Sequence, residues 1–174
     1  NGLGRGQVFV HSSHTHDSGN LDDLTLGGVN RTYREMVVSR CADAAAFAIA
    51  DAKPAELSCG RSAARRISFG RRYRMKDGSV RTNPGVGNPD IVGPAGEPPD
   101  DEVQVLRIDR KGAAPICVIN FQTHPDVVGG ETVTADWPGL TRGVFEAATF
   151  GETRCLVLNG AQGDVNHVNV MPRP

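Results

Sequence analysis

The amino-acid sequence predicts a layered α/β domain built on a mixed central sheet, and three observations carry that expectation. Two nearly continuous apolar runs, residues 115–121 (Pro-Ile-Cys-Val-Ile-Asn-Phe) and 155–158 (Cys-Leu-Val-Leu), have the composition of central strands buried on both faces. Two other segments, 31–53 and 136–149, read as helices. Strand-like and helix-like segments alternate along the chain, as they do where helices cover a sheet.

In chain order, the first expected element is a strand over residues 7–13, around the apolar run Val8-Phe9-Val10. The helix over 31–53 rests on Met36, Val37, Cys41, Ala44, Ala45, Ala48, Ile49 and Ala52, and Pro54 stops it. Residues 65–74 and 104–109 are strand candidates. The Gly- and Pro-rich stretch 83–99 between them is too full of turn formers for regular structure, and long ordered loops often line active sites. After the strand at 115–121, the helix over 136–149 takes Asp136 as its cap and Pro138 in its first turn. There is no internal repeat or heptad, and 174 residues suit one domain spanning residues 1–174.

Charge and composition narrow the classes. With 19 Lys+Arg against 20 Asp+Glu, nothing points to nucleic acid or an anionic membrane as partner. The basic cluster from Arg61 to Arg74 is local, and reads either as a solvated loop or as recognition of an anionic substrate. No apolar run approaches the roughly 20 residues of a membrane span, so no integral membrane segment is expected. No signal peptide is visible, and the compartment stays open. The chain begins without methionine and ends directly after a motif-like stretch, so a fragment of a larger catalytic domain is expected. The four cysteines include no Cys-x-x-Cys pair, which argues against thiolate zinc. Cys117 and Cys155 fall inside the apolar runs and are expected as small buried hydrophobes, while the even count leaves disulfides open.

Chemistry concentrates where three expected strands end. The first runs into Ser12-Ser-His-Thr-His16, the second into Asn120-Phe-Gln-Thr-His-Pro-Asp126, and the third into Asn159-Gly-Ala-Gln-Gly-Asp-Val-Asn-His167. Ligands of open α/β sheets collect at the carboxyl ends of strands, so one shared site is the economical reading. It would gather His14, His16, His124 and His167, with His11 close by. In an extended segment residues i and i+2 share a face, so His14 and His16 would converge on one ion or substrate. Neutral imidazoles bind zinc, and a catalytic zinc takes about three protein ligands. Taken singly, each motif is also compatible with histidines that merely hydrogen-bond at a strand end, and Gly163-Asp164 with a simple turn.

Four segments in order carry a more specific signal. These are Val8-Phe-Val-His-Ser-Ser-His-Thr-His16, Asn120-Phe-Gln-Thr-His-Pro125, Thr134-Ala-Asp-Trp-Pro-Gly139 and Asn159-Gly-Ala-Gln-Gly-Asp-Val-Asn166. Together they resemble the ordered motifs of the neutral/alkaline non-lysosomal ceramidase family, in its amino-terminal catalytic domain. Members of that family are zinc amidases that cleave the N-acyl bond of ceramide. The resemblance implies Zn2+ as cofactor, His14 and His124 as zinc ligands and His16 as a catalytic histidine relaying a proton beside the metal. It also implies that Asp164 acts at the reaction centre and that Asn166 lies close to the substrate. Asn166 and His167 stand where the family's Gly-Asp-x-Ser-Pro-Asn segment has serine and proline. The family's remaining ligands, a glutamate and a tyrosine, are expected further along the chain than residue 174, and His167 is the one local candidate for a third ligand. The segment from Arg71 to Pro84 resembles ceramidase-like bacterial proteins of unassigned substrate. With Arg71 and Arg72 as substrate-binding residues, a small or anionic N-acyl amide fits better than a lipid with two tails.

Two other readings compete. His14-x-His16 could be the first-strand signature of an amidohydrolase barrel, but that fold needs roughly 250 residues. The chain could also be a non-catalytic or degenerate α/β binding domain whose histidines are structural.

Overall fold

The structure, a computed structural model, describes residues 4–19, 21 and 30–171. Among the described residues, two α-helices, α1 (Arg31–Ala50) and α2 (Asp136–Ala148), accompany nine strands. These are β1 (Ala55–Ala63), β2 (Phe69–Gly70), β3 (Arg72–Met75), β4 (Val80–Thr82), β5 (Ile91–Pro94), β6 (Glu102–Arg110), β7 (Ile116–Phe121), β8 (Arg154–Asn159) and β9 (Val165–Asn166).

The expected mixed sheet is present, in the order β1-β6-β7-β8. β1 and β6 are antiparallel, as are β6 and β7, whereas β7 and β8 run parallel with α2 as their crossover. Burial of β7 alternates, and Cys117, Ile119 and Phe121 are the buried residues. Ile119, Cys155 and Val157 form a core into which α2 and the sheet send Trp137, Phe145, Val103 and Val105. Phe121 and Trp137 meet edge to face with centroids 6.0 Å apart, a favoured aromatic geometry. All four cysteines are free thiols, with Cys117 and Cys155 buried.

Parallel β7 and β8 both end at one edge of the sheet. β1 ends and β6 begins at that same edge, so everything inserted between them, residues 64–101, springs from it. The insertion contains a second sheet, β4-β3-β5, around Tyr73, Met75, Ile91 and Val170. The short ladder β2-β9 ties its start to the loop after β8.

Several elements differ from the sequence expectation. Residues 7–13 do not form a strand; Arg5–Gln7 is one turn of 3-10 helix and the rest is irregular. Val8, Phe9 and Val10 are 49%, 80% and 85% exposed, and an apolar run makes a strand only where another strand offers ladder bonds. The segment is instead tied on by side chains: His11 Nε2 donates to the Asn159 carbonyl (2.9 Å), and Asn159 Nδ2 donates to the Ser13 carbonyl (2.9 Å). The expected strand at 65–74 is replaced by a turn and the short β2 and β3, because Arg66 is left-handed (φ 68°) and interrupts any extended run. Within the expected irregular stretch 83–99, β5 forms with Ile91 buried. Helix α1 has the expected start but ends at Ala50, and none of its residues is buried.

Candidate metal centre

The site is assembled at the sheet edge just described. β7 delivers Gln122-Thr-His-Pro125, all buried, and His124 is 8% exposed. Residues 11–17 cross the same edge, held by His16 N donating to the Pro125 carbonyl (3.2 Å). His14 adopts a left-handed conformation (φ 64°). That region is uncommon for a non-glycine residue but enriched in histidine, and such outliers cluster at functional sites. His14 and His16 therefore converge through a turn, not through the alternation of a strand.

His14, His16 and His124 form a near-equilateral triangle. Ring centroids lie 5.2 Å apart for His14 and His16, 5.0 Å for His14 and His124, and 5.0 Å for His16 and His124. One ring nitrogen from each falls within 4.8 Å of the others, and this is the group of such side chains that converges among the described residues. Zinc–nitrogen bonds of about 2.0–2.1 Å in tetrahedral geometry put nitrogens about 3.3 Å apart, so the rings must close in slightly on an ion. His14 and His16 are exposed enough to do so.

Neighbouring groups set the protonation of His124. Burial pushes its pKa down, the Gln162 carbonyl opposes this, and repulsion from Arg71, with His14 and His16 beside it, lowers it further. A neutral imidazole is the metal-binding form. The Gln162 carbonyl lies 3.2 Å from Nδ1 and calls for a proton there, which leaves the Nε2 lone pair free for an ion. Arg71 Nη1 lies along the same ring, 3.3 Å from Nδ1 and 3.4 Å from Nε2, and competes for the free lone pair. On the far side, His16 Nδ1 lies 3.8 Å from Asp126 Oδ1, both partly exposed. Asp17, next in sequence to His16, buries one carboxylate oxygen that has no partner among the described residues. The donor set and its surroundings fit a zinc ion.

The other candidates from the sequence lie elsewhere. Arg71 is at the triad, as noted. Arg72 is spent on Asp164 in a bidentate pair, Nε to Oδ1 at 2.8 Å and Nη2 to Oδ2 at 2.7 Å. Hydrogen bonding to Arg72 holds the Asp164 carboxyl below its ordinary pKa, so it stays ionised and anchors the loop onto β3. Asn166 is buried with its side chain turned to Asn83 (2.9 Å) and to the His167 backbone N–H (2.9 Å). His167 is not with the triad. It borders a cavity of about 400 Å3 between the sheet and α2, with Ile67, Phe121, Thr123 and Trp137, and its Nδ1 is buried without a partner among the described residues. Sequence reading missed Gln162 and Asp126 as orienting groups. Asp126 was within reach as the residue after His124-Pro125, but a backbone carbonyl such as that of Gln162 leaves no trace in residue types.

A groove of about 850 Å3 on the open face of the sheet, lined by Leu106, Val118 and Leu158 among others, is bordered by none of the three triad histidines. Among the described residues, no helix is long and apolar enough to cross a membrane.

No protein-family model matches this chain, and no curated protein matches it. Several chains of solved structures do, among them the following two. A ceramidase complexed with C2 superposes with a TM-score of 0.67 at 14% identity over 89% of this chain. Neutral ceramidase from Pseudomonas aeruginosa does so with a TM-score of 0.67 at 14% identity over 92%. The chain thus has the mixed α/β fold of a segment of neutral ceramidases, and spans 24% and 26% of the length of those two chains.

Proposed function

We propose that this chain carries the histidine part of a zinc-dependent hydrolase of the ceramidase kind, acting on an N-acyl amide bond. The observation that supports it best is the convergence of His14, His16 and His124 at the strand-end edge of a ceramidase-like fold. His14 and His124 hold the ion, and His16 completes the set of about three protein ligands a catalytic zinc takes. When bound, zinc supplies Lewis-acid polarisation of a carbonyl and a water acidic enough to attack at neutral pH.

The chain's own residues do the rest. The Gln162 carbonyl fixes the His124 tautomer, and the buried His124 stays neutral. Arg71, beside the His124 ring, would offer its guanidinium to the carbonyl oxygen or to a carboxylate on the substrate. The Arg72–Asp164 pair fixes the loop that supplies Gln162. A small or anionic N-acyl amide is the substrate class this basic edge favours, and neither nucleic acid nor membrane is needed.

A second reading has one observation behind it. The Asp126 carboxylate beside His16 Nδ1 is the arrangement of a proton-transfer histidine held by an acid, which would make His16 the proton carrier next to a metal held by others. Zinc titration of the purified chain, followed by a screen of N-acyl amides, tests the proposal. Near-stoichiometric zinc that chelators remove is expected. A chain that takes up no zinc would favour a binding domain with structural histidines.

A further inference from the structure

The triad is drawn from two segments, and a single buried side chain closes the device that joins them. Asp136 is 1% exposed and left-handed (φ 50°). It is not the helix cap that its sequence position suggests: the N-cap is Ala135, with no side-chain cap bond. Its carboxylate reaches back instead. Oδ2 accepts from Val127 N (3.0 Å) and Val128 N (2.9 Å), and Oδ1 accepts from Trp137 N (2.6 Å). Asp136 N donates to Thr134 Oγ1 (3.1 Å). Residues 127–136 are thereby closed into a loop directly after His124-Pro125-Asp126.

That loop grips the other histidine segment at both ends. At one end the Pro125 carbonyl accepts from His16 N (3.2 Å). At the other, Thr134 N donates to the Asp17 carbonyl (2.9 Å), and the Thr134 carbonyl accepts from Thr15 Oγ1 (2.9 Å). Residues 15–17 therefore lie across the mouth of a loop whose width is set by the Asp136 carboxylate. Three backbone N–H groups aimed at one buried carboxyl suit a fixed spacer.

We infer that Asp136 is a positioning residue: without touching any imidazole, it sets the distance between His124 and the pair His14 and His16. The inference rests on the proposed three-histidine site, but its test does not depend on zinc. In Asp136→Asn the side chain keeps its shape and presents an N–H2 group where an acceptor is needed. The assay is nuclear magnetic resonance of the metal-free full chain, reading inter-ring contacts between His16 and His124, together with Zn2+ titration. Val157→Ala, which truncates the core packed against Trp137 but leaves every hydrogen bond of the loop in place, is the control for plain loss of stability.

In Asp136→Asn the inter-ring contacts should disappear and zinc affinity should fall about 10–100-fold, the usual worth of groups that orient ligands. Val157→Ala should retain both. If Asp136→Asn does not fold, Thr134→Val, which removes the Oγ1 acceptor for Asp136 N, is read by the same two criteria and should weaken both. The inference is overturned if the folded variant keeps the ring contacts and binds zinc like the wild type, or if Val157→Ala loses them equally. Should the wild type bind no zinc, the metal reading fails while the ring contacts still decide the role of Asp136.

Discussion

Replacing each histidine of the triad by alanine separates a three-imidazole zinc site from the alternatives. Zinc held by four protein ligands binds with an apparent free energy of about 10–16 kcal/mol, or roughly 2.5–4 kcal/mol per ligand. Three imidazoles then give about 7.5–12 kcal/mol, from which the cost of ordering His14 and His16 must be taken, about 0.5–1.5 kcal/mol each. Displacing Arg71 from His124 costs more. A dissociation constant on the order of 10⁻⁶ M follows, at about 1.4 kcal/mol per factor of ten. Losing one ligand should therefore weaken zinc about 10²–10³-fold. The near-equal centroid separations of 5.0–5.2 Å give no reason for the three variants to differ greatly. Competition titration against a chelator of known affinity, at a pH where His124 is neutral, measures all of them. If His16→Ala bound zinc as tightly as the wild type while His14→Ala and His124→Ala did not, His16 would be reassigned as the proton carrier oriented by Asp126. If no single replacement mattered, the triad would not be a metal site.

Three further outcomes follow from particular contacts. Burial and the neighbouring Cys117 raise the Cys155 thiol to about 11, and burial raises Cys117. Native protein at pH 8 should thus show rapid alkylation of only the exposed Cys41 and Cys59, read by mass spectrometry, with all four reacting in denaturant. The folded pKa of Asp164 is depressed by Arg72, so the pair's contribution is present above the unfolded value of about 4 and is lost as pH falls through the lower folded value. Stability of the wild type should accordingly exceed that of Arg72→Met at pH 6 and converge with it toward pH 2 in urea titrations, whereas a gap that persisted in acid would remove the ion pair as its cause. Phe121→Ala deletes a 5%-exposed ring that meets Trp137 edge to face and should cost about 3–5 kcal/mol of unfolding free energy. A loss below about 1 kcal/mol would mean that this corner of the core is loosely packed.

What could be read from the sequence follows the amount of burial each element has. β7, β8 and α2 form one buried layer pair, and their composition announced it: Ile119, Cys155 and Val157 sit in the core that the apolar runs implied. β1 was invisible for the converse reason. All nine of its residues are exposed, and Ala-Glu-Leu-Ser-Cys-Gly-Arg-Ser-Ala has no alternation to detect because pairing with β6, not burial, makes it a strand. The run at Val8–Val10 gave the opposite error, since hydrophobicity alone supplies no partner for a ladder.

The site was half legible in a similar way. Side-chain chemistry pointed to His14, His16 and His124, because few residue types bind zinc. Which histidines meet was decided by backbone bonds that carry no sequence signature. His167 follows a motif as suggestive as the other two, yet β9 pairs with β2 and turns the chain so that its ring borders the apolar cavity beside Trp137. Asp136 shows the same limit from the other side. Its place before Trp-Pro-Gly reads as a helix cap, the commonest use of an aspartate there. Only the left-handed backbone at Asp136 turns the carboxylate toward Val127 and Val128, and so toward the loop that carries His124. A residue type limits which chemistry a position can perform, but the direction in which the backbone aims it decides which neighbour receives that chemistry.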